Sequence, residues 1–262
     1  MISTEQHQAA AALLTRATRD RIPIAPITET WPTVGLDDAY AIQTVVVGER
    51  IAAGAHIAGW KVGLTSQAMQ RQLGVDQPDF APLLDDMAVA DGADLRSGEL
   101  IAPRVEGELA FRLAADLQGD VTFEEVCAAV DLVVPALEII DSRIVDWRIS
   151  LADTIADHAS CGRYVVGANG ASLADVNLET VELVLDQDDE EVGRGTGDAV
   201  LGNPLRAVAW LTSTIDAYGQ HLAAGQIVLA GALHAAVPAT AGHRVRARFS
   251  EPALGSVSVN FT

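Results

Sequence analysis

Lysine is almost missing from this chain: Lys61 is the only one, and the other 16 of its 17 basic residues are arginine. Cysteine is nearly as scarce. Cys127 and Cys161 stand far apart without a CxxC spacing, which excludes a disulfide scaffold and leaves each as a small buried hydrophobe. No apolar run approaches the ~18 residues of a membrane span, and the stretch IAAGAHIAGW is interrupted by His56. The opening MISTEQHQAAAALLTRA lacks a positive leader, so no export signal is expected and a cytoplasmic location follows. Neither GxGxxG nor GxxxxGK[ST] occurs, and the glycines of GWKVGLT and GRGTG have the wrong spacing for dinucleotide or P-loop binding. Positive charge is short overall: 17 basic residues face 36 acidic ones, for a net charge of −19. Such a surface repels phosphate backbones and anionic lipid, so neither nucleic acid nor a membrane is an expected partner.

What is present is enough to build a core. The chain has 262 residues, of which 49% are hydrophobic and 20% charged. That length suits one large domain or one domain with a smaller appendage, at roughly 150 residues per domain. A small anionic substrate would need a local positive centre in so acidic a molecule. A lone lysine or a bound cation could supply it, which directs attention to carboxylates as metal ligands.

The chain begins in a helical texture. Thr4 can cap a helix with Ala9, Ala10, Leu13, Leu14 and Ala17 on one face. RDRIPIAPITETWP carries three prolines and reads as an irregular link, and a second helix is expected from Gly35 or Leu36 to about Ala53, with Leu36, Tyr40, Val47 and Ile51 at helical spacing. Residues 56–62 read as extended, 65–73 as one or two helical turns, and 74–98 as a long shaped loop. Beyond Pro103, strand signals dominate. VEGELAFRL places Val105, Gly107, Leu109 and Phe111 on one face and Glu106, Glu108, Ala110 and Arg112 on the other. Thr122 and Glu125 form a capping box, and DLVVPALEII follows as a strand in which Pro135 signals an edge or an irregularity. TVELVLDQDDEEVGRG reads as a hairpin, although Asp-Asp-Glu-Glu is no tight-turn signal. Asn203 and Pro204 open a helix carrying Leu205, Val208, Leu211 and Ile215, and strands are expected near 226–229, 245–249 and 257–261. The sum is an α+β chain: an N-terminal helical region, 1–75, packed on a mixed-β catalytic domain, 76–262.

Glu106 and Glu108 are the sharpest chemical feature. At i, i+2 on a strand, both side chains leave the same face and can reach one cation, although a solvated strand face would carry the same pattern. Glu138 is less ordinary, because an acid amid VVPALEII is costly to bury unless paired or metal-bound. The three acids suit a hard cation such as Mg²⁺ or Mn²⁺, which takes oxygen ligands and keeps open positions. Lys61, between Gly59 and Gly63, is either an exposed strand-end lysine or a buried base or polarising donor. Asp79 is a loop acid or an Asx turn, and Ser160 a hydroxyl donor or a structural serine without a GxSxG elbow. His158 reads as a packing histidine, Arg104 as an electrostatic neighbour of the acid pair, and Asp153 with Asp157 as like charges one helical turn apart.

In wording and order, GWKVGLTSQAMQRQLGVDQPDFAPLLDDM, PRVEGELAFRLAADL, PALEIIDSRIVDW and DTIADHASCG resemble the 2-keto-4-pentenoate hydratase family of the fumarylacetoacetate hydrolase superfamily, from about residue 35 onward. The resemblance implies a mixed β-sandwich-like roll of the fumarylacetoacetate hydrolase C-terminal type with an N-terminal helical region, a divalent cation and a homo-oligomer. It implies Glu106, Glu108 and Glu138 as metal ligands, Lys61 as the active-site lysine, and Asp79 and Ser160 as residues bordering the pocket. It further implies a 2-oxo or 2-hydroxy dienoate substrate, hydrated at C4 to 4-hydroxy-2-oxopentanoate in aromatic meta-cleavage catabolism. Two departures stand out: His158 replaces a common Asn, and LAGALHAAVPATAG keeps GAL without the GALGPMV wording. Its AAVP is similar to the related 4-oxalocrotonate decarboxylases, which makes decarboxylation the alternative chemistry. An acylpyruvate hydrolase lies further away, since its usual GTP triplet is GAL here. A non-catalytic oligomeric binding protein of the same fold is the alternative outside enzymology.

Overall fold

The computed structural model describes residues 1–66, 70–71 and 75–262. Ser3, rather than Thr4, caps the first helix, α1 (Thr4–Asp20): its Oγ accepts from Gln6 N at 3.3 Å while Gln6 Oε1 accepts from Ser3 N at 2.9 Å. Ala10, Ala11, Leu14 and Ala17 are the buried stripe, whereas Ala9 is exposed and Leu13 half-buried. The proline-rich link holds one short helix, α2 (Ile27–Thr30), and α3 (Leu36–Ala52) packs across α1. Tyr40 and Val47 of α3 are buried as expected, and Ile51 is exposed. The helical turns expected over 65–73 fall partly outside the described residues.

Strand β1 (Ile57–Gly63) lies before residue 75 yet is an inner strand of the larger sheet. The expected loop over 74–98 contains instead β2 (Asp79–Leu84), β3 (Ala88–Val89) and β4 (Asp94–Leu95). Pro82 does not break β2 because β2 is an edge strand, paired with β1 alone. The remaining strands are β5 (Arg104–Leu113), β6 (Val130–Ile140), β7 (Cys161–Val166), β8 (Glu182–Gln187), β9 (Glu190–Thr196), β10 (Ile227–Ala232), β11 (Val237–Pro238), β12 (Arg244–Phe249) and β13 (Ser256–Phe261). Between them run α4 (Phe123–Ala129), with the expected Thr122–Glu125 capping box, α5 (Leu151–Ala156) and α6 (Leu205–Asp216).

Among the described residues, the larger sheet has the order β2-β1-β10-β5-β6-β7-β3, with β11 added to β5, and the smaller the order β4-β13-β12-β8-β9. Pairing is mixed: β1 with β10 and β3 with β7 are parallel, and β5 with β6 is antiparallel. Strands β12 and β13 pack on β6 and β7, so Val105, Leu109, Phe111, Leu137 and Ile139 share one core with Val245, Val257 and Val259. The opposite face of the larger sheet is apolar at one end, where Ala110, Val134, Ala136 and Leu229 meet Leu83 and Leu84. Its other end carries the charged residues.

Two turns depart from expectation. Strand β6 is interior, so Pro135 does not mark an edge; it sits at a break where β7 leaves the ladder after Ala136↔Val166 and an isolated bridge resumes at Val133↔Ala171. The β8–β9 connection is a tight two-residue turn after all. Asp188 and Asp189 both take positive φ, at 51° and 69°, as a type I′ hairpin demands. Asp188 is held there by Arg244 N at 2.9 Å and by His243 Nδ1 at 2.5 Å. No helix among the described residues is long and apolar enough to cross a membrane.

Candidate metal centre and active site

The antiparallel register of β5 and β6 sets Glu106 directly opposite Glu138, and the two-residue period of the strand brings Glu108 to the same face. One carboxylate oxygen from each of the three lies within 4.8 Å of the other two. Glu108 and Glu138 are 1% exposed and Glu106 is half-buried. Glu108 Oε2 accepts from Gly231 N at 2.9 Å. Both oxygens of Glu138 lack a hydrogen-bond partner among the described residues, and Lys61 Nζ approaches Oε1 only to 3.4 Å. Burial, reinforced by Glu138, pushes Glu106 up to about 8 and Glu108 well above the carboxylate range. Three carboxylates this crowded are unfavourable together as anions when Lys61 supplies a single positive charge, and a further cation would relieve them. The donor set fits a hard divalent ion: oxygen ligands from three acids, with orphaned lone pairs turned toward one point.

Lys61 projects from β1 into the same cluster and is 4% exposed. Burial disfavours its charge, but Glu138 and Asp79 together outweigh that and raise its proton affinity. It is therefore a cation and a donor, not a free base. Nζ donates to Ala159 O at 3.1 Å, and that carbonyl is presented by three successive left-handed residues, His158, Ala159 and Ser160, with φ of 57°, 47° and 54°. Such a run is strained for residues with a Cβ. It is held by His158, whose Nε2 donates to Pro82 O at 2.8 Å. Burial lowers His158 to about 3, so the ring is neutral, and it is the satisfied packing histidine the sequence suggests.

Asp79 opens β2 opposite Gly63. A methyl group on Gly63 would fall 2.2 Å from Asp79 Oδ1 and 2.9 Å from Lys61 Nζ, so glycine leaves room there for both charged ends. Burial raises Asp79 against the pull of Lys61, and its Oδ1 has no hydrogen-bond partner among the described residues. Ser160 Oγ lies 3.1 Å from Thr154 Oγ1. Lys61, Asp79, Glu106, Glu108 and Ser160 all line one cavity of about 460 Å³; Glu138 pairs with Lys61 but does not itself line it.

The cavity also has walls that sequence reasoning missed. Trp147 and Ile149 come from an irregular segment with no period to read, and His234 from the turn after β10. Arg104 lies with Cζ 4.6 Å over the Trp147 ring, whose Nε1 donates to Ala102 O at 3.1 Å. Behind the cavity, Arg143 and Asp157 form a second buried cluster. Asp157 accepts from Arg143 Nε at 2.5 Å, Arg143 N at 2.9 Å and Ser142 Oγ at 3.3 Å, and Arg143 also donates to the carbonyls of Asp141, Cys161 and Asp157.

Residues 53–261 match the fumarylacetoacetate (FAA) hydrolase C-terminal family, whose fold is a curled mixed sheet of this kind. Across 99% of this chain and 96% of its own length, the 2-keto-4-pentenoate hydratase of Paraburkholderia xenovorans (strain LB400) is 42% identical over 261 residues. The 2-hydroxyhexa-2,4-dienoate hydratase of Comamonas testosteroni is 42% identical over 252 residues, 95% of each chain. The solved 4-oxalocrotonate decarboxylase of Pseudomonas putida G7, complexed with magnesium and adipate, superposes with a TM-score of 0.96 at 35% identity, covering 100% of this chain and 99% of that one. The chain belongs to the 2-keto-4-pentenoate hydratase family within the fumarylacetoacetate hydrolase superfamily.

Proposed function

We propose that this protein is a divalent-metal-dependent hydratase that converts 2-hydroxypenta-2,4-dienoate, the enol of 2-keto-4-pentenoate, to 4-hydroxy-2-oxopentanoate. The observation that carries the reading is the buried triad Glu106, Glu108 and Glu138 beside a single cationic lysine, in a chain whose relatives at 42% identity are dienoate hydratases. In this reading the three glutamates hold Mg²⁺ or Mn²⁺. When bound, the ion supplies Lewis-acid stabilisation of the negative charge that develops on the substrate's C2 oxygen.

The chain's own groups divide the remaining work. Lys61 Nζ, fixed by the Ala159 carbonyl, attracts the anionic substrate and donates a hydrogen bond to it in the cavity. Ser160 Oγ, kept in line by Thr154, donates to the substrate carboxylate. Asp79 moves the protons: in its carboxylic acid form, which burial favours, it delivers a proton from Oδ1 to C5 while the C2 hydroxyl proton passes to solvent. The resulting 2-oxo-3-enoate accepts water at C4. Asp79, now a carboxylate, takes the proton from that water and so returns to its starting form, and C3 takes from solvent the proton that the C2 hydroxyl gave up.

The test offers the purified protein both the dienoate and 2-oxohex-3-enedioate, with Mg²⁺ or Mn²⁺. Loss of dienoate absorbance with formation of 4-hydroxy-2-oxopentanoate is expected. Release of CO₂ from the diacid without hydration of the dienoate would overturn the reading in favour of decarboxylation. A cytoplasmic homo-oligomer is part of the same proposal, read by fractionation and sedimentation velocity.

A further inference from the structure

The ladder between β10 and β5 breaks where it passes the acid pair. Pairing runs through Leu229↔Ala110, shifts register, and resumes at Ala232↔Glu108. Across the shift, Gly231 N donates to the Glu108 side chain and Leu233 N donates to Gly107 O at 3.1 Å. The N–H of Gly107, midway between the two glutamates, meets a side chain where a strand would offer a carbonyl. His234 Nε2 accepts it at 3.0 Å. The other ring nitrogen, Nδ1, lies 2.7 Å from Ala235 O. Only the neutral imidazole with its proton on Nδ1 makes both bonds, since Nε2 must offer a lone pair and Nδ1 a hydrogen.

The space for this ring is left by two residues without side chains. A methyl group on Gly107 would fall 3.0 Å from Nε2, and one on Gly193 of β9 would fall 2.9 Å from Nδ1. The imidazole thus sits between the two sheets, against the backbone that carries both glutamates, and borders the cavity they line. It also occupies the position at which this chain departs from the GALGPMV wording.

We propose that His234 is a positioning residue of the metal centre. Its Nε2 replaces the strand acceptor missing at the register shift and holds the Glu106–Gly107–Glu108 backbone so that both carboxylates converge on one ion. The inference rests on the metal-binding reading of those glutamates. Partners that orient ligands typically matter about ten-fold or more in metal affinity.

The experiment is a calorimetric Mn²⁺ titration of the full chain and of H234F, H234N and H234Q, with melting curves recorded in chelator. Phe fills the slot without an acceptor, Asn ends short of the Nε2 position, and the Gln oxygen reaches it. The Mn²⁺ dissociation constant is expected to rise about ten-fold in H234F and H234N and to return to within about three-fold in H234Q. The hydration kcat should follow the same order, with KM for the dienoate little changed. Tight Mn²⁺ binding by H234N and H234F, or binding by H234Q as weak as theirs, would overturn the proposal. If H234F fails to fold, the contrast between H234N and H234Q decides alone. An unaltered chain that takes up no Mn²⁺ would remove the metal-centre reading itself, which is a different result from an unaltered chain that binds with all variants equal to it.

Discussion

Two clusters of buried charge lie back to back in this protein and differ in how completely they are partnered. Asp157 accepts three hydrogen bonds and faces Arg143, whose guanidinium donates to that carboxylate and to three carbonyls. Glu138, equally buried, has two oxygens without a hydrogen bond among the described residues and two further carboxylates within reach. The first cluster is complete in itself and fastens the segment after β6 to the turn after α5. The second sets three acids against one lysine, Lys61, and is left with carboxylate oxygens to spare. Satisfied buried charge contributes to the fold, whereas unsatisfied buried charge reserves a place for a ligand.

Substitutions separate the two kinds. Glu138→Gln is expected to lower hydration by about a thousand-fold, ~4 kcal/mol in the barrier. In chelator it should lose less stability than Arg143→Met, since it relieves the crowding of the acids while leaving Asp79 to balance Lys61; a loss as large as that of Arg143→Met would mean Glu138 is structural. Arg143→Met should do the reverse, costing about 3 kcal/mol of stability by stranding Asp157. Its surviving folded fraction should still bind Mn²⁺ in a titration.

Acid sharpens the comparison through His158. Its proton affinity lies near pH 6.5 when unfolded and near 3 when buried, so between those values the unfolded chain holds more protons. The stabilising contribution is full above pH 6.5 and is lost as pH falls toward 3, at about 1.4 kcal/mol per unit. Urea unfolding at pH 7.5 and 5.5 should show His158→Asn losing about 1.4 kcal/mol less than the unaltered chain over that interval. Equal losses would mean the ring is not held neutral. The smallest change is expected from Ser160→Ala. A KM rise of about three- to ten-fold at unchanged Mn²⁺ affinity follows from one lost hydrogen bond to substrate.

The acid pair was legible because a strand has a period of two: Glu106 and Glu108 announce a shared face before any partner is known. Glu138 was legible as a lone acid in an apolar strand. That Glu138 stands opposite Glu106 is a matter of register between chain segments about 30 residues apart, which no local pattern encodes. Strand β2 escaped because Asp79 and Pro82 read as loop punctuation, and only an edge position tolerates the proline. The Asp188–Asp189 turn escaped because its positive φ angles are held by His243 and the Arg244 backbone, far along the chain. Asp153 and Asp157 looked like repelling neighbours. In the fold Asp153 bonds Ser150 and Thr28 while Asp157 turns to Arg143, so each finds a different partner. The cavity walls from Trp147 and His234 depend on where irregular segments cross the sheet, and composition carries no sign of that.

The strand order has a bearing on time as well as shape. Lys61 on β1 and Glu108 on β5 belong to the first half of the chain, yet β10, residues 227–232, is inserted between their strands. During synthesis from the N-terminus, β1 and β5 emerge first and wait for residues 227–232. The edges of β1 and β5 stay open for most of that interval, which makes them the surfaces a chaperone has most reason to cover. A nascent chain arrested before residue 227 would therefore have Glu106, Glu108 and Glu138 on adjacent strands but no β10 to bring Lys61 beside them.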